Sequence, residues 1–205
     1  STVRCCTQNG IRGGSATVHF PIWHQEIEDI LVLKNNKGTE DNRVRKLDYS
    51  IQLSELFYKR FISSGNITLF SPHDTPGLYD AFGTDKFDDL YTRYESDESI
   101  PKTVVPAQDL ILAMLKERAE TGRIYLMNID HCNTHSSFKD KVNMSNLCQE
   151  ITLPTDPIQS LQGQGEIALC ILSAINVGKI TKTSELENLC DLAVRGLEEL
   201  IDYQE

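Results

Sequence analysis

The stretch Ser145-Asn146-Leu147-Cys148-Gln149-Glu150-Ile151 places a thiol, a carboxylate and an amide within five residues of one another. On an extended backbone, side chains two positions apart share a face. Asn146, Cys148 and Glu150 would then project together, with Leu147, Gln149 and Ile151 on the opposite side. Such a face offers a nucleophile or hydrogen-atom carrier, a general base and a neutral hydrogen-bonding group. The pattern alone is common, because strands hold such triples by chance. A small buried cysteine with polar neighbours facing a loop is its ordinary outcome.

Other clusters carry less. The run Asp130-His131-Cys132-Asn133-Thr134-His135 lacks the order and spacing of a zinc signature, so a hydrogen-bonded structural loop without metal is expected. His131 or His135 could serve as base to Cys148 in a cysteine hydrolase, but papain-like flanking motifs and any sign of an oxyanion hole are missing. The cysteines at 5, 6, 132, 148, 170 and 190 show no C-x-x-C spacing, and the chain is not cysteine-dense. Thiols in a reducing cytosol are expected. Cys170 lies in an apolar run, where a cysteine is usually inert.

These groups must be held by surrounding elements. A β-branched run at 15–20 ends at Pro21, and residues 22–33 carry helical spacing through Ile22, Trp23, Ile27, Ile30 and Leu31. Leu47, Tyr49, Ile51 and Leu53 alternate like a strand, followed by helical spacing through Leu56, Phe57 and Phe61. A compact strand is expected at 67–70 and a mostly helical, charged segment at 78–97. Residues 107–120 form an amphipathic helix closed by Gly122, and 123–129 a strand, before a long polar loop at 130–145. The apolar run 166–177 reads as a buried strand and its extension. Ser184 and Glu187 make a capping box for a helix carrying Leu186, Leu189, Cys190, Ala193, Leu197, Leu200 and Ile201. Tyr49, Tyr58, Tyr79, Tyr91, Tyr94 and Tyr125 are expected to be packing residues. Strands alternating with helices predict an α/β fold with active residues on loops at strand ends.

The bulk properties narrow the class. In 205 residues, 20 Lys+Arg against 30 Asp+Glu give a formal net charge of -10, which disfavours non-specific binding to nucleic acid. No apolar run approaches the ~20 residues of a membrane span, and no signal-peptide pattern opens the chain, so a cytoplasmic protein is expected. Ser1 and the helical pattern running to Glu205 both suggest a segment of a longer protein.

Asn146-Leu147-Cys148-x-Glu150, followed by Ile151 and Pro154, resembles the active-site signature of class I ribonucleotide reductase large subunits. Further matches are Gly13-Gly14-x-Ala16-Thr17, Leu31-Val-Leu-Lys-Asn-Asn36 and Thr68-Leu-Phe-Ser-Pro-His-Asp-x-Pro-Gly-Leu-Tyr79. Later come Thr121-Gly-Arg-Ile-Tyr125, Asp130-His-Cys-Asn-Thr-His-Ser136 and Gly165-Glu-Ile-Ala-Leu-Cys170, so the resemblance covers almost the whole chain.

The resemblance implies part of a ten-stranded α/β barrel, with residues 1–205 a partial catalytic barrel domain and 146–150 a finger loop threading its centre. It implies reduction of ribonucleoside diphosphates to 2'-deoxy products by thiyl-radical chemistry, for deoxyribonucleotide biosynthesis and DNA replication. Cys148 matches the radical cysteine, Glu150 the base on the 3'-hydroxyl and Asn146 the amide that binds the ribose hydroxyls. Leu147 and Gln149 fall within the same substrate-binding loop. Cys170 matches one member of a redox-active cysteine pair whose partner lies upstream of Ser1 in the family, and the relay tyrosines lie beyond Glu205.

Residues 1–14 match the specificity region, whose loop comprises Cys6, Thr7, Gln8, Asn9, Gly10, Ile11, Arg12, Gly13 and Gly14. Gln8 and Arg12 match its reading residues, and Asn9 stands where many members have Gly. The implied partners are a metal-containing small β subunit that generates the radical, a second α subunit, and a thioredoxin- or glutaredoxin-type dithiol reductant. Nucleoside triphosphate effectors, ATP among them, are implied as allosteric ligands. No cofactor bound in this chain, no nucleic acid and no membrane are expected. Alternatively, the chain is a non-catalytic split or truncated segment, active only when complemented, and residues 1–205 alone would not reduce nucleotides.

Overall fold

The computed structural model describes residues 2–7, 9–39, 41, 43–160 and 162–203. It divides into two units, residues 1–155 and 156–205.

In the first unit, a helical turn α1 (Thr2–Cys5) precedes strand β1 (Thr17–Pro21), helix α2 (Ile27–Leu31), strand β2 (Asp48–Leu53) and helix α3 (Glu55–Ile62). Strand β3 (Asn66–Phe70), helices α4 (Leu78–Ala81) and α5 (Phe87–Ser96), strand β4 (Lys102–Pro106) and helix α6 (Ala107–Thr121) follow. Strand β5 (Ile124–Asn128) and helix α7 (Ile129–Thr134) complete the series. Strands β1, β2 and β5 form a parallel sheet in the order β1-β2-β5, with His19 beside Ser50 and Ser50 beside Tyr125. Strands β3 and β4 pair antiparallel.

The parallel sheet has two chemically distinct faces. Because side chains alternate across a strand, Val18, Phe20, Tyr49, Ile51, Leu53, Ile124 and Leu126 share one face, and all belong to or pack on the core. Helix α6 adds Ala107, Leu110, Ile111 and Met114 to that core at helical spacing. Its stripe ends at Glu117, whose carboxylate accepts from Asn35 Nδ2 at 2.9 Å on each oxygen. The other face carries Thr17, His19, Ser50, Gln52 and Tyr125. Ser50 and Gln52 are nonetheless buried.

The outer edge of β3 is finished without another full strand. Phe70 N–H donates to the Trp23 carbonyl (2.8 Å), and Gln25 N–H donates to the Phe70 carbonyl (2.9 Å). Two positions earlier, the buried Tyr91 hydroxyl donates to the Thr68 carbonyl (2.7 Å) and accepts from Thr68 N–H (2.8 Å). Burial pushes the phenol far above its ordinary pKa, keeping it neutral. Removing it strands two buried backbone groups. Tyr91→Phe is expected to cost about 1–3 kcal/mol through those unpaired groups. The check is the midpoint of denaturant unfolding, and an unchanged midpoint would exclude this role.

Several sequence expectations are corrected. Residues 22–33 yield only the short helix α2, because Trp23 and His24 are held in a bridge with Phe70. Strand β4 had no clear sequence signal. The polar loop at 130–145 begins with helix α7, and Asn133 then ties its return by bonding both N–H and C=O of Val142 (2.8 and 3.0 Å). Gly83, at φ +86, lies where a Cβ would meet Ile129 at 2.8 Å, which fixes the approach of α7. Tyr49 and Tyr91 are packing residues as expected, whereas Tyr58 and Tyr79 are partly exposed.

In the second unit, helix α8 (Glu185–Asp202) forms where its periodicity predicts. The capping box does not: Ser184 is itself helical in conformation (φ -65, ψ -13), and its side chain makes no cap bond. The run 166–177 is neither a strand nor buried. Glu166 pairs only with Asp156 in an isolated bridge, Leu169 is 84% exposed, and a short 3-10 turn (Val177–Lys179) closes the run. Apolar composition favours a strand only where a neighbouring strand completes its hydrogen bonds. The second unit's described residues supply none. Among the described residues, no helix is long and apolar enough to cross a membrane.

Candidate functional site

The segment after α7 runs across the polar face of the parallel sheet. Three alternate carbonyls turn toward that face and accept from it: Asn143 O from Gln52 Nε2 (2.7 Å), Ser145 O at His19 Nε2 (3.1 Å) and Leu147 O from Thr17 Oγ1 (2.6 Å). The two-residue repeat is that of an extended chain. Side chains, not a neighbouring backbone, satisfy it.

At Asn146 the chain turns. Gln149 N–H donates to the Asn146 carbonyl (3.2 Å), Asn146 Oδ1 accepts from Ile151 N–H (3.0 Å), and Ser145 Oγ donates to the Ile151 carbonyl (2.5 Å). Gln149 has a positive φ of 62 and is partly buried. Its Oε1 accepts from Ser50 Oγ (2.6 Å), and its Nε2 donates to the Leu126 carbonyl (2.6 Å). Cys148 and Glu150, on either side of it, are exposed.

The expectation of an extended stretch through 146–150 is therefore corrected to a turn. The opposition of Gln149 to Cys148 and Glu150 is reached through the left-handed residue, but Asn146, expected on the same face as those two, does not join the exposed pair. Asn146 is partly buried and works within the loop. Because an N–H needs an acceptor, the Asn146 Oδ1 takes the Ile151 bond, which does not use the NH2. Leu147 is partly buried, with its carbonyl on the sheet.

His19 was missed by sequence reading. Its Nε2 lies 3.1 Å from the Ser145 carbonyl and 3.4 Å from Ser145 N–H. The shorter contact fits an Nε2–H donor, leaving Nδ1 buried without a partner among the described residues. A proton on Nδ1 would have nowhere to point. Burial accordingly lowers the His19 pKa below the ordinary imidazole value, with the Ser145 carbonyl opposing. A depressed histidine pKa contributes stability above the unfolded value and loses it as pH falls. Stability is therefore expected to decline as pH drops below about 6.5, the ordinary histidine value. That decline should flatten in His19→Gln. Thermal melts across this range measure it, and parallel profiles for the two proteins would refute the assignment.

The signal for this floor was present in the sequence. Ser50 and Gln52 alternate with Tyr49, Ile51 and Leu53, so a strand apolar on one face carried hydrogen-bonding groups on the other. What covers that face was not legible.

The remaining expected groups lie elsewhere. His131 and His135 stack edge to face at 5.4 Å on and beside α7, and the His135 Nδ1 lies 3.2 Å from the His131 carbonyl. Neither bonds the 143–151 segment. Cys132 is partly buried, and burial, with Asp130 adding, raises its thiol pKa. Among the described residues, no group of three His, Cys, Asp or Glu could hold a metal ion.

Cys170 is exposed in the second unit, contrary to the buried environment read from the sequence. In the 6–14 region, Cys6, Thr7, Gly10, Ile11, Arg12 and Gly13 are exposed, and Asn9 has φ 50, which Asn tolerates better than most residues. Gly14 is required by close approach, since a Cβ there would meet the Cys6 and Val3 carbonyls at 2.4 and 2.5 Å. Gln8 lies outside the described residues.

Comparison with known proteins gives consistent matches. A family model described as ribonucleotide reductase, barrel domain, matches residues 1–205. The chain is 56% identical over 211 residues to the ribonucleoside-diphosphate reductase subunit alpha of Haemophilus influenzae, covering 100% of this chain and 28% of that protein. It is 53% identical over 211 residues to the corresponding subunit of Buchnera aphidicola subsp. Baizongia pistaciae, again covering 100% and 28%. With ribonucleoside-diphosphate reductase 1 subunit alpha of Escherichia coli it shares 55% identity over 163 residues, 77% of this chain and 21% of that protein. The chain thus spans little more than a quarter of the length of the relatives it matches across its whole extent.

Proposed function

Since the chain belongs to the ribonucleotide reductase barrel-domain family, we propose that it contributes the radical-bearing loop of a ribonucleoside-diphosphate reductase large subunit. The observation that carries this reading is the seating of residues 143–151 on the polar sheet face, with Cys148 and Glu150 exposed on either side of an anchored Gln149.

In this reading Cys148, as a thiyl radical, takes the hydrogen atom from ribose C3' and becomes a thiol. Sulfur suits the step because its bond to hydrogen is close in strength to an activated ribose C–H bond, so the transfer reverses. Glu150 accepts the 3'-hydroxyl proton, which assists departure of the 2'-hydroxyl as water. The NH2 of Asn146 donates to a ribose hydroxyl, and its neutrality leaves the Glu150 carboxylate without a second charge beside it. Leu147 and Gln149 belong to the same loop and seat it on the sheet, Leu147 by its carbonyl and Gln149 by its side-chain amide. Cys170 is one of two thiols that together give up two electrons and two protons and close to a disulfide. The 6–14 loop couples a nucleoside triphosphate effector to substrate choice through differing contacts in its two states.

The partners are a metal-containing small subunit, which supplies the radical, a second large subunit and a dithiol protein reductant, in a cytoplasmic enzyme. The test is a complete large subunit carrying this segment, given a radical-generating small subunit, ribonucleoside diphosphate and dithiol. Formation of 2'-deoxynucleotide is expected. Its absence with an active small subunit would overturn the reading.

A further inference from the structure

We infer that Gln149 and Ser50 are positioning residues that set the location of Cys148 and Glu150, an inference resting on the reading of Cys148 as the reacting sulfur. Thr17, His19 and Gln52 hold the carbonyls of 147, 145 and 143. All three bonds lie before Cys148 in the chain. Among the described residues, the side chain that secures the loop to the sheet beyond Cys148 is Gln149.

Its attachment is unusual in two respects. The backbone is left-handed at a residue that is not glycine, a strained conformation that persists where surroundings impose it. The imposing contacts are the two 2.6 Å bonds of its amide, one to each of two neighbouring strands. Ser50 lies on β2 and Leu126 on β5, so the amide bridges two strands and is held against displacement along the sheet. Ser50 is fully buried, so its hydroxyl has no water to compete for it. Cys148 and Glu150 are the covalent neighbours of the held residue. A shift of Gln149 therefore moves both.

Hydrogen-atom transfer requires sulfur and C3' at near-contact distance, and a displacement of about 1 Å can cost about a hundredfold in rate. The prediction concerns rate rather than binding. In the complete large subunit with its small subunit, Gln149→Met, which keeps length without the amide, should lower kcat by about 10–100-fold. KM for the ribonucleoside diphosphate should stay within about twofold, and the isotope effect with 3'-deuterated substrate should rise as hydrogen abstraction becomes rate-limiting.

Ser50→Ala should move the same quantities in the same direction, and should add little in the Gln149→Met background, because both changes break one contact. Ser50→Thr, which keeps the hydroxyl, should restore most of the rate. Should Gln149→Met fail to fold, the Ser50 pair gives the same answer. An unchanged kcat and isotope effect in both single variants, or additive losses in the double variant, would overturn the inference. Cys148→Ser in the same assay separates the two levels: if it retains turnover, the reading of the sulfur fails. If it is inactive while the Gln149 and Ser50 variants behave normally, only the positioning role fails.

Discussion

Cys148→Ser in the complete subunit is expected to abolish deoxynucleotide formation, a loss of at least about 10⁴-fold and so more than about 5 kcal/mol of barrier. The substitution is nearly isosteric and lies at an exposed turn. Folding and substrate affinity should therefore change little. What is lost is bond chemistry: an O–H bond is much stronger than an S–H bond, so a serine hydroxyl cannot be converted to a radical by a donor adequate for a thiol. Release of tritium from 3'-labelled substrate should vanish together with product. Turnover within tenfold of the unsubstituted protein would remove Cys148 from the chemistry and transfer attention to another thiol.

Cys170→Ser is expected to separate these two readouts. In the proposed function abstraction at C3' needs only Cys148, so 3'-tritium release should persist. Reduction needs a pair of thiols that together lose two electrons and two protons on forming a disulfide, so deoxynucleotide formation beyond a first turnover should be lost, again by about 10³-fold or more. Exposure of Cys170 suits a thiol that must exchange with an external dithiol, since exchange depends on access. Sustained turnover in Cys170→Ser would show that Cys170 is not one of the redox-active thiols. Loss of both readouts would place Cys170 in the abstraction step instead.

The Cys148 and Cys170 substitutions differ from those at Gln149 and Ser50 in scale and in kind. Removing a reacting atom ends the chemistry, whereas loosening Gln149 leaves every reacting atom present and changes only where they stand. The graded set of Cys148, Gln149 and Ser50 variants therefore distinguishes identity from position within one loop.

Much of the fold was legible from local chemistry. The alternation at Tyr49, Ile51 and Leu53 set β2, the spacing of Leu110, Ile111 and Met114 set α6, and the period of Leu186 through Ile201 set α8. These elements carry their pattern within themselves. The expected thiol, amide and carboxylate were likewise visible as residue types, and the roles proposed for them come from resemblance to a family signature.

What the chain did not reveal locally depends on long-range partners. Residues 166–177 are apolar enough for a strand, yet lack a described neighbour to complete the ladder, and they remain irregular. Residues 143–147 do have extended periodicity, but their carbonyls are met by Gln52, His19 and Thr17, which precede them by 91 to 130 positions. The turn at Gln149 follows from Ser50 and Leu126 in the same way. Sequence by itself determined which chemical groups are available and which self-patterned segments, β2, α6 and α8 among them, are helix or strand, because those depend on neighbours a few residues away. Only the tertiary structure decided that the buried polar face of the sheet is the floor of the loop, because a hydrogen bond between distant residues leaves no periodic trace in either segment.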